Sequence, residues 1–213
     1  MNAPLTSDQQ TTLARTERQA QVVQALLQVL PQHALLYTTE DTVPYECDGL
    51  TAYRARPMCV ALPETVEQVQ AVLKTCYALD VPVVARGAGT GLSGGAMPHT
   101  MGVTLSLAKF NQILNIDPIA RTAVVQCGVR NLAISEAVSP HGLYYAPDPS
   151  SQIACTIGGN VAENSGGVHC LKYGLTVHNV LKVKGFTIEG EPIEFGSDAL
   201  DTPGLDLLPV VVG

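Results

Sequence analysis

Apolar positions along the chain recur first at helical spacing and then in short β-branched runs. Leu13, Ala20, Val23, Leu27 and Leu30 keep roughly one helical stripe, Ser7 and Gln10 are spaced as a capping box, and Pro31 stops the pattern. An amphipathic helix is therefore expected up to about Leu30, as a docking helix outside the main core. Residues 33–53 are turn-rich and weakly patterned. The segment "MCVALPETVEQVQAVLKTCYALDVPVVARG" then reads as a short strand, a helix and a second strand. Thr65 and Gln68 can form a capping box, Val66, Val69, Val72, Leu73 and Cys76 share one face, and "VPVVA" is a compact β-branched run. This is a βαβ unit. Further strands are expected over residues 103–106, 113–116 and 122–127, with a helix over 129–138 ended by Pro140 and Gly142. The alternating "VLKVKGFTIEGEPIEF" reads as a hairpin about Gly190.

The pattern predicts an α+β architecture rather than a regular doubly wound sheet. Residues 1–56 form an N-terminal helix and connecting segment, and residues 57–213 form the main domain. With 213 residues and 46% hydrophobic content, the chain is long enough for one large or two small domains with real cores. It carries neither an apolar run of transmembrane length nor the basic and apolar regions of a secretory signal, so the expected address is cytoplasmic. A net charge of -7 with only 12 Lys and Arg argues against a nucleic-acid surface, which needs clustered basic groups to displace phosphate counterions. The six cysteines, at 47, 59, 76, 127, 155 and 170, include no C-x-x-C pair, so no metal site is expected and buried free thiols are the simpler reading.

Glycine usage changes this picture. Residues 86–95 read "RGAGTGLSGG" directly after "VPVVA", although glycine loses more backbone entropy on folding than any other residue. Gly89, Gly91 and Gly94 satisfy G-x-G-x-x-G, but Pro98 and Gly102 interrupt any helix behind them, and a dinucleotide site of the Rossmann kind needs that helix. A Walker loop fails as well, because no Gly-Lys-Ser/Thr follows. What remains is a helix-free anion nest, in which successive backbone N–H groups converge on a phosphate or pyrophosphate. Arg86 is the only basic residue between Asp80 and Thr100, so most donors must come from the main chain. A second stretch, "DPSSQIACTIGGNVAENSGGVHCLKYG" over residues 148–174, is also rich in glycine and small residues, and no Lys or Arg lies between Arg130 and Lys172. Hydroxyls and amides at Ser151, Thr156, Asn160 and Asn164 offer directed hydrogen bonds without charge. The glycines either shape two faces for a large, extended ligand or only make tight turns.

Together, "PVVARGAGTGLSGGAMP" and "PDPSSQIACTIGGNVAENSGGVHCLKYG" resemble the FAD-binding domain of the vanillyl-alcohol oxidase/PCMH flavoprotein superfamily. Within it the likeness is to FAD-linked subunits of glycolate oxidases (glycolate dehydrogenases), beside D-lactate and D-2-hydroxyglutarate dehydrogenases. The resemblance implies a PCMH-type fold of two α+β subdomains with FAD extended between them. It implies that Arg86, Gly87, Ala88, Gly89, Thr90, Gly91, Ser93, Gly94 and Gly95 wrap the pyrophosphate. Pro147, Asp148, Ser151, Cys155, Thr156, Gly158, Gly159, Asn164 and Gly167 would line the flavin and ribityl chain, with Val180 near the adenine. Some relatives tether FAD through a histidine at the place of Thr90, so the resemblance implies non-covalent FAD here. A valine at Gly89 is expected to obstruct the phosphate path and to weaken FAD binding far more than folding.

The implied activity is oxidation of a 2-hydroxy acid, glycolate foremost, to the 2-oxo acid by hydride transfer to flavin N5. Relatives draw the base and the carboxylate anchor largely from a C-terminal substrate domain, and the family continues past "LLPVVVG" with a Ser-Glu-Gly-x-Leu-Gly segment. The chain is therefore expected to be a truncated piece, inactive alone, and no catalytic residue is assigned. The alternative is a non-catalytic FAD-binding subunit of a glycolate oxidase complex. The implied partners are an iron–sulfur subunit and a second flavin-domain subunit, which would bring the protein to the inner membrane. His169 and His178 read as structural or catalytic, and Arg86 as a partner for phosphate, flavin or a carboxylate. The acids Glu189, Glu191, Glu194, Asp198, Asp201 and Asp206 read as a solvated face or a docking site for the iron–sulfur subunit.

Overall fold

The computed structural model describes residues 7–198 and 204–213. Helix α1 spans Ser7–Leu26 and is followed by the short strand β1 (Leu35–Leu36) and the single-turn helix α2 (Thr39–Thr42). Strand β2 (Cys59–Ala61), helix α3 (Val66–Ala78) and strand β3 (Val83–Arg86) form the expected βαβ unit. Strand β4 (Val103–Ser106) is inserted between the two strands of that unit, giving the order β1-β2-β4-β3. β4 runs parallel to both neighbours, with Val103 opposite Cys59 and Val83, while β1 closes the edge antiparallel to β2. Every residue of β2 and β4 is buried, as expected for parallel strands covered on both faces.

The second layer holds the antiparallel pair β5 (Ile113–Asp117) and β6 (Thr122–Val125), helices α4 (Asn131–Val138), α5 (Ile157–Glu163) and α6 (Cys170–Tyr173), and the hairpin β7 (Lys182–Phe186) and β8 (Pro192–Gly196). Gly190 turns the hairpin at φ 80°, and its carbonyl accepts a 2.7 Å hydrogen bond from Gln70 of α3. The final helix α7 (Leu208–Val211) leads to Gly213, whose N–H donates to the Val161 carbonyl of α5 at 2.9 Å. The architecture is α+β, as the periodicity predicts.

The expected docking helix belongs instead to the core. Val22 and Leu26 of α1 are fully buried and pack with Leu30, Met58, Val72, Leu73 and Cys76 beneath the sheet. The buried stripe runs through Val22, Val23, Leu26 and Leu30, leaving Leu13 and Ala20 exposed, so the predicted face was rotated and extended too far toward the N-terminus. Val66, expected on the inner face of α3, is likewise exposed. The capping pair Ser7–Gln10 involves side chains outside the described residues, as does Asp201 of the acidic run. Thr65 caps α3 by accepting from the Gln68 N–H at 3.3 Å, while the Gln68 side chain accepts from Glu64 rather than from Thr65. Burial raises the thiol of Cys59 to about 12 and that of Cys76 to about 11, consistent with inert core cysteines.

Truncating a fully buried leucine leaves a cavity that its neighbours fill only in part. Leu26→Ala is therefore expected to destabilise the protein by about 2–5 kcal/mol in urea unfolding. A helix docked outside the core would lose no more than roughly 0.5 kcal/mol.

Candidate functional site

Strand β3 ends at Arg86 and delivers the glycine segment to the edge of the sheet. Residues 87–95 form no helix, and Gly89 and Gly94 take left-handed φ values of 70° and 79° that favour glycine. Among the described residues, no backbone N–H in 87–95 donates to a protein acceptor. The run is half-buried at Gly87, Gly89, Thr90, Gly91 and Gly94 and exposed at Ala88, Leu92, Ser93 and Gly95, and its free amides form an open donor set. The helix-free loop expected from Pro98 and Gly102 is what the chain forms.

Arg86 does not take the carboxylate partner expected as one of its roles. Its Nη1 donates to the Cys47 carbonyl at 2.8 Å and its guanidinium lies 5.6 Å from the Tyr45 ring centre. It forms no ion pair among the described residues. The guanidinium lies so close to Gly89 that a Cβ there would collide with Nη2. A valine at Gly89 would carry a folding cost of its own through the left-handed φ, beside any effect on the phosphate path.

The second glycine segment contains a helix that the sequence reading missed. α5 begins at Ile157 with Thr156 as its cap, Oγ1 accepting from the Gly159 N–H at 3.4 Å, and ends at Asn164 in the left-handed conformation at φ 47°. Two adjacent glycines argue locally against a helix, but tertiary contacts decide here. The Gly158 N–H donates to the Cys127 carbonyl at 2.8 Å, and a Cβ on Gly158 would sit 2.8 Å from the Cys127 Cβ. Gly158 thus lets α5 lie directly on the chain after β6.

The other predicted site residues of this segment are held by a chain of polar contacts. Asn160 and Asn131 are buried; Asn160 Nδ2 donates to Asn131 Oδ1 at 2.8 Å, and Asn131 Nδ2 donates to the Pro147 carbonyl at 3.0 Å. Asp148 Oδ2 meets His169 Nδ1 at 2.6 Å, which holds the carboxyl below the usual carboxylate range. Gly167 is pressed so closely on Asp148 that a Cβ would collide with its carbonyl. The Ser151 carbonyl accepts from the N–H groups of Ala154 and Cys155, and Cys155 is buried. Asn164 Oδ1 accepts from Val177 at 3.0 Å, and Val180 precedes β7 with no hydrogen bond to either glycine segment. His178 is engaged locally, its Nδ1 accepting from the Leu175 N–H at 3.1 Å.

The two segments meet. A Cβ on Gly87 would collide with Thr156 Oγ1, and Ser93 Oγ donates to Glu163 Oε2 at 2.9 Å from the end of α5. The Glu163 carboxylate faces Gly91 and Gly95, at 2.9 and 3.1 Å from where a Cβ would be. Sequence reasoning missed Glu163, Asn131 and Asp48. Glu163 carried a readable signal, as the only acid between Asp148 and Glu189 in a stretch of small neutral residues. Among the described residues no group of three or more His, Cys, Asp or Glu is placed to hold a metal, and no helix is long and apolar enough to cross a membrane.

Comparison with known proteins agrees with this geometry. Residues 57–196 match the FAD binding domain family. The chain is 64% identical over 192 residues to the glycolate oxidase subunit GlcD of Escherichia coli, covering 90% of this chain and 38% of GlcD. It is 35% identical over 190 residues to a D-2-hydroxyglutarate dehydrogenase of Xanthomonas citri, covering 89% of this chain and 40% of that protein. The chain thus spans about two fifths of the length of these curated relatives. The fold is similar to that of alkyldihydroxyacetonephosphate synthase, with a TM-score of 0.78 at 19% identity over 91% of this chain and 37% of that one.

Two outcomes follow from these contacts. Gly87→Ala should destabilise by pushing on Thr156, and Thr156→Ala should cost about 1 kcal/mol through the lost cap. The double variant should be less damaged than the sum by roughly 0.5–3 kcal/mol in a urea-unfolding cycle, because the hydroxyl that the new methyl meets is gone. Strict additivity would mean that the segments do not touch there. For Asp148, whose folded pKa lies below an unfolded value of about 3.9, the stabilising contribution is present above that pH and lost as pH falls through the folded value. Asp148→Asn should therefore flatten the decline of the unfolding midpoint below about pH 4.

Proposed function

We propose, since the chain belongs to the FAD binding domain family, that residues 86–95 hold the diphosphate of FAD through backbone N–H groups, without a covalent tether. The observation that carries this reading is the unbroken run of amides in 87–95 with no protein acceptor. A diphosphate fits that donor set, because glycine removes side chains from its approach and the nest supplies partial positive charge. Thr90 offers no nucleophilic ring for attachment. On this reading Pro147, Asp148, Ser151, Cys155, Thr156, Gly158, Gly159, Asn164 and Gly167 face the ribityl chain and flavin, and Val180 lies toward the adenine.

The parent reaction is oxidation of a 2-hydroxy acid to the 2-oxo acid, glycolate being the substrate named by the similar glycolate oxidase subunit. Bound flavin supplies the hydride acceptor, at N5. The residues of this chain fix the cofactor. Thr156 and Gly87 clamp the two segments together, and the Asn160–Asn131–Pro147 relay fixes the backbone that enters Asp148. No residue of this chain is assigned as the base or the carboxylate anchor. Assembly with further subunits, including an iron–sulfur partner at the cytoplasmic face of the inner membrane, completes the proposal; its support is that the similar GlcD protein is itself named a subunit.

A flavin titration of the purified protein tests the reading. Saturable quenching of flavin fluorescence by the chain is expected, with adenosine diphosphate competing and riboflavin far weaker, because the diphosphate carries the contact. In the longer protein, anaerobic glycolate should bleach the flavin band. No FAD binding, or equal binding of riboflavin, would remove the diphosphate assignment.

A further inference from the structure

The nest does not shape itself, and the part that shapes it lies upstream of the residues that match the FAD binding domain family. Residues 45–50 pass directly against the loop. Asp48, only 4% exposed, accepts from the Leu50 N–H through Oδ1 at 2.9 Å and from the Ala96 N–H through Oδ2 at 3.4 Å. One carboxylate thereby ties its own turn to the C-terminal end of the glycine segment. At the other end, Arg86 is tied to the Cys47 carbonyl and lies against Tyr45. Both ends of the loop are bound to the same short stretch of chain, through a guanidinium and a carboxylate of opposite charge.

Between those ties lies Gly49. An added Cβ there would be 2.7 Å from the Gly91 carbonyl oxygen and 2.9 Å from that of Thr90. Those two carbonyls therefore face Gly49 at close range. Among the described residues no peptide bond is cis. In a trans peptide the C=O and the following N–H point in opposite directions, so carbonyls turned toward Gly49 turn the N–H groups of Gly91 and Leu92 away from it. Neither of those two N–H groups has a protein acceptor.

We propose that Asp48 and Gly49 are positioning residues for the cofactor loop: they turn its peptide planes so that the amides are presented to a diphosphate before one binds. Neither residue touches the ligand in this account; both act through the loop. The inference rests on the FAD reading for the identity of the ligand, but not for the loop shape, which belongs to the unliganded chain. Preorganisation of this kind appears in affinity, since a loop in its competent shape for a fraction of the time binds more weakly by that fraction.

The experiment compares wild type, Gly49→Ala, Asp48→Ala and Asp48→Asn in the purified protein. Gly49 has no left-handed φ, so alanine meets no backbone strain of its own and its methyl presses on the two loop carbonyls. FAD affinity is read by fluorescence quenching, loop geometry by backbone amide resonances without ligand, and folding by urea midpoint. Gly49→Ala and Asp48→Ala are expected to weaken FAD binding by about tenfold or more, as for a loop competent about a tenth of the time, and to move or broaden the amide signals of residues 87–96. Asp48→Asn, which keeps one acceptor oxygen, should fall between them and wild type. Unchanged FAD affinity and unchanged loop amides in Gly49→Ala would overturn the proposal, and if that variant unfolds, unchanged values in Asp48→Asn would do so. Should wild type fail to bind FAD, the cofactor reading falls alone, and the loop amides of the variants still decide this one.

Discussion

Backbone amides left without partners are costly unless something outside the chain satisfies them, and they stay in place only if the chain bearing them is held. The glycine segment after β3 is such a run, and much of the surrounding structure holds it without covering it. The parallel strands fix its start, the turn at Asp48 fixes its end, and α5 approaches it from the second layer. Each hold is made from below or beside the loop. The guanidinium of Arg86, the one basic group in the segment, is directed to Cys47 and leaves the donors to the main chain.

The core explains why the hold is firm. α1 lies under the sheet with Val22 and Leu26 fully buried, and β1 adds a strand to its edge through Leu35 and Leu36. The segment before residue 57 therefore contributes on two scales: apolar side chains stabilise the sheet that ends in the loop, and residues 45–50 then set the loop's shape. Burying a leucine or valine is worth about 1.5–3 kcal/mol each, enough to anchor a neighbouring segment of low intrinsic stability. The polar ties at Asp48 and Arg86 add direction to that anchoring.

Much of this was legible in the sequence, for identifiable reasons. Strand β4, the Thr65 cap of α3 and the Gly190 hairpin followed from period, capping chemistry and turn residues, all local signals. That the two glycine stretches belong together was legible because glycine is locally unfavourable and two such stretches need a common cause, and the fold does bring them into contact. α5 was not legible, since Gly158 and Gly159 lower helix propensity and the contact with Cys127 that offsets this comes from a distant part of the chain. Asp48 was not legible either. A single acid in a turn-rich segment looks like solvent-facing charge until the fold brings Ala96 to it. The orientation of α1 was misjudged because Leu13 and Ala20 extended an apolar stripe beyond the part of the helix that meets the sheet.

The glycines themselves divide once their surroundings are known. At Gly87, Gly158, Gly166 and Gly167 a side chain would run into the protein's own Thr156, Cys127, Leu175 and Asp148. These positions are glycine because two parts of this chain come together. At Gly94 a Cβ would meet only ordinary contacts at 3.6 Å, and at Gly159 it would meet only the cap hydroxyl of Thr156 at 3.4 Å, so space within the protein does not demand glycine there. Gly94 has its left-handed φ as a reason, whereas Gly159 has neither positive φ nor a backbone obstacle. That separates glycine the fold requires from glycine the fold leaves free.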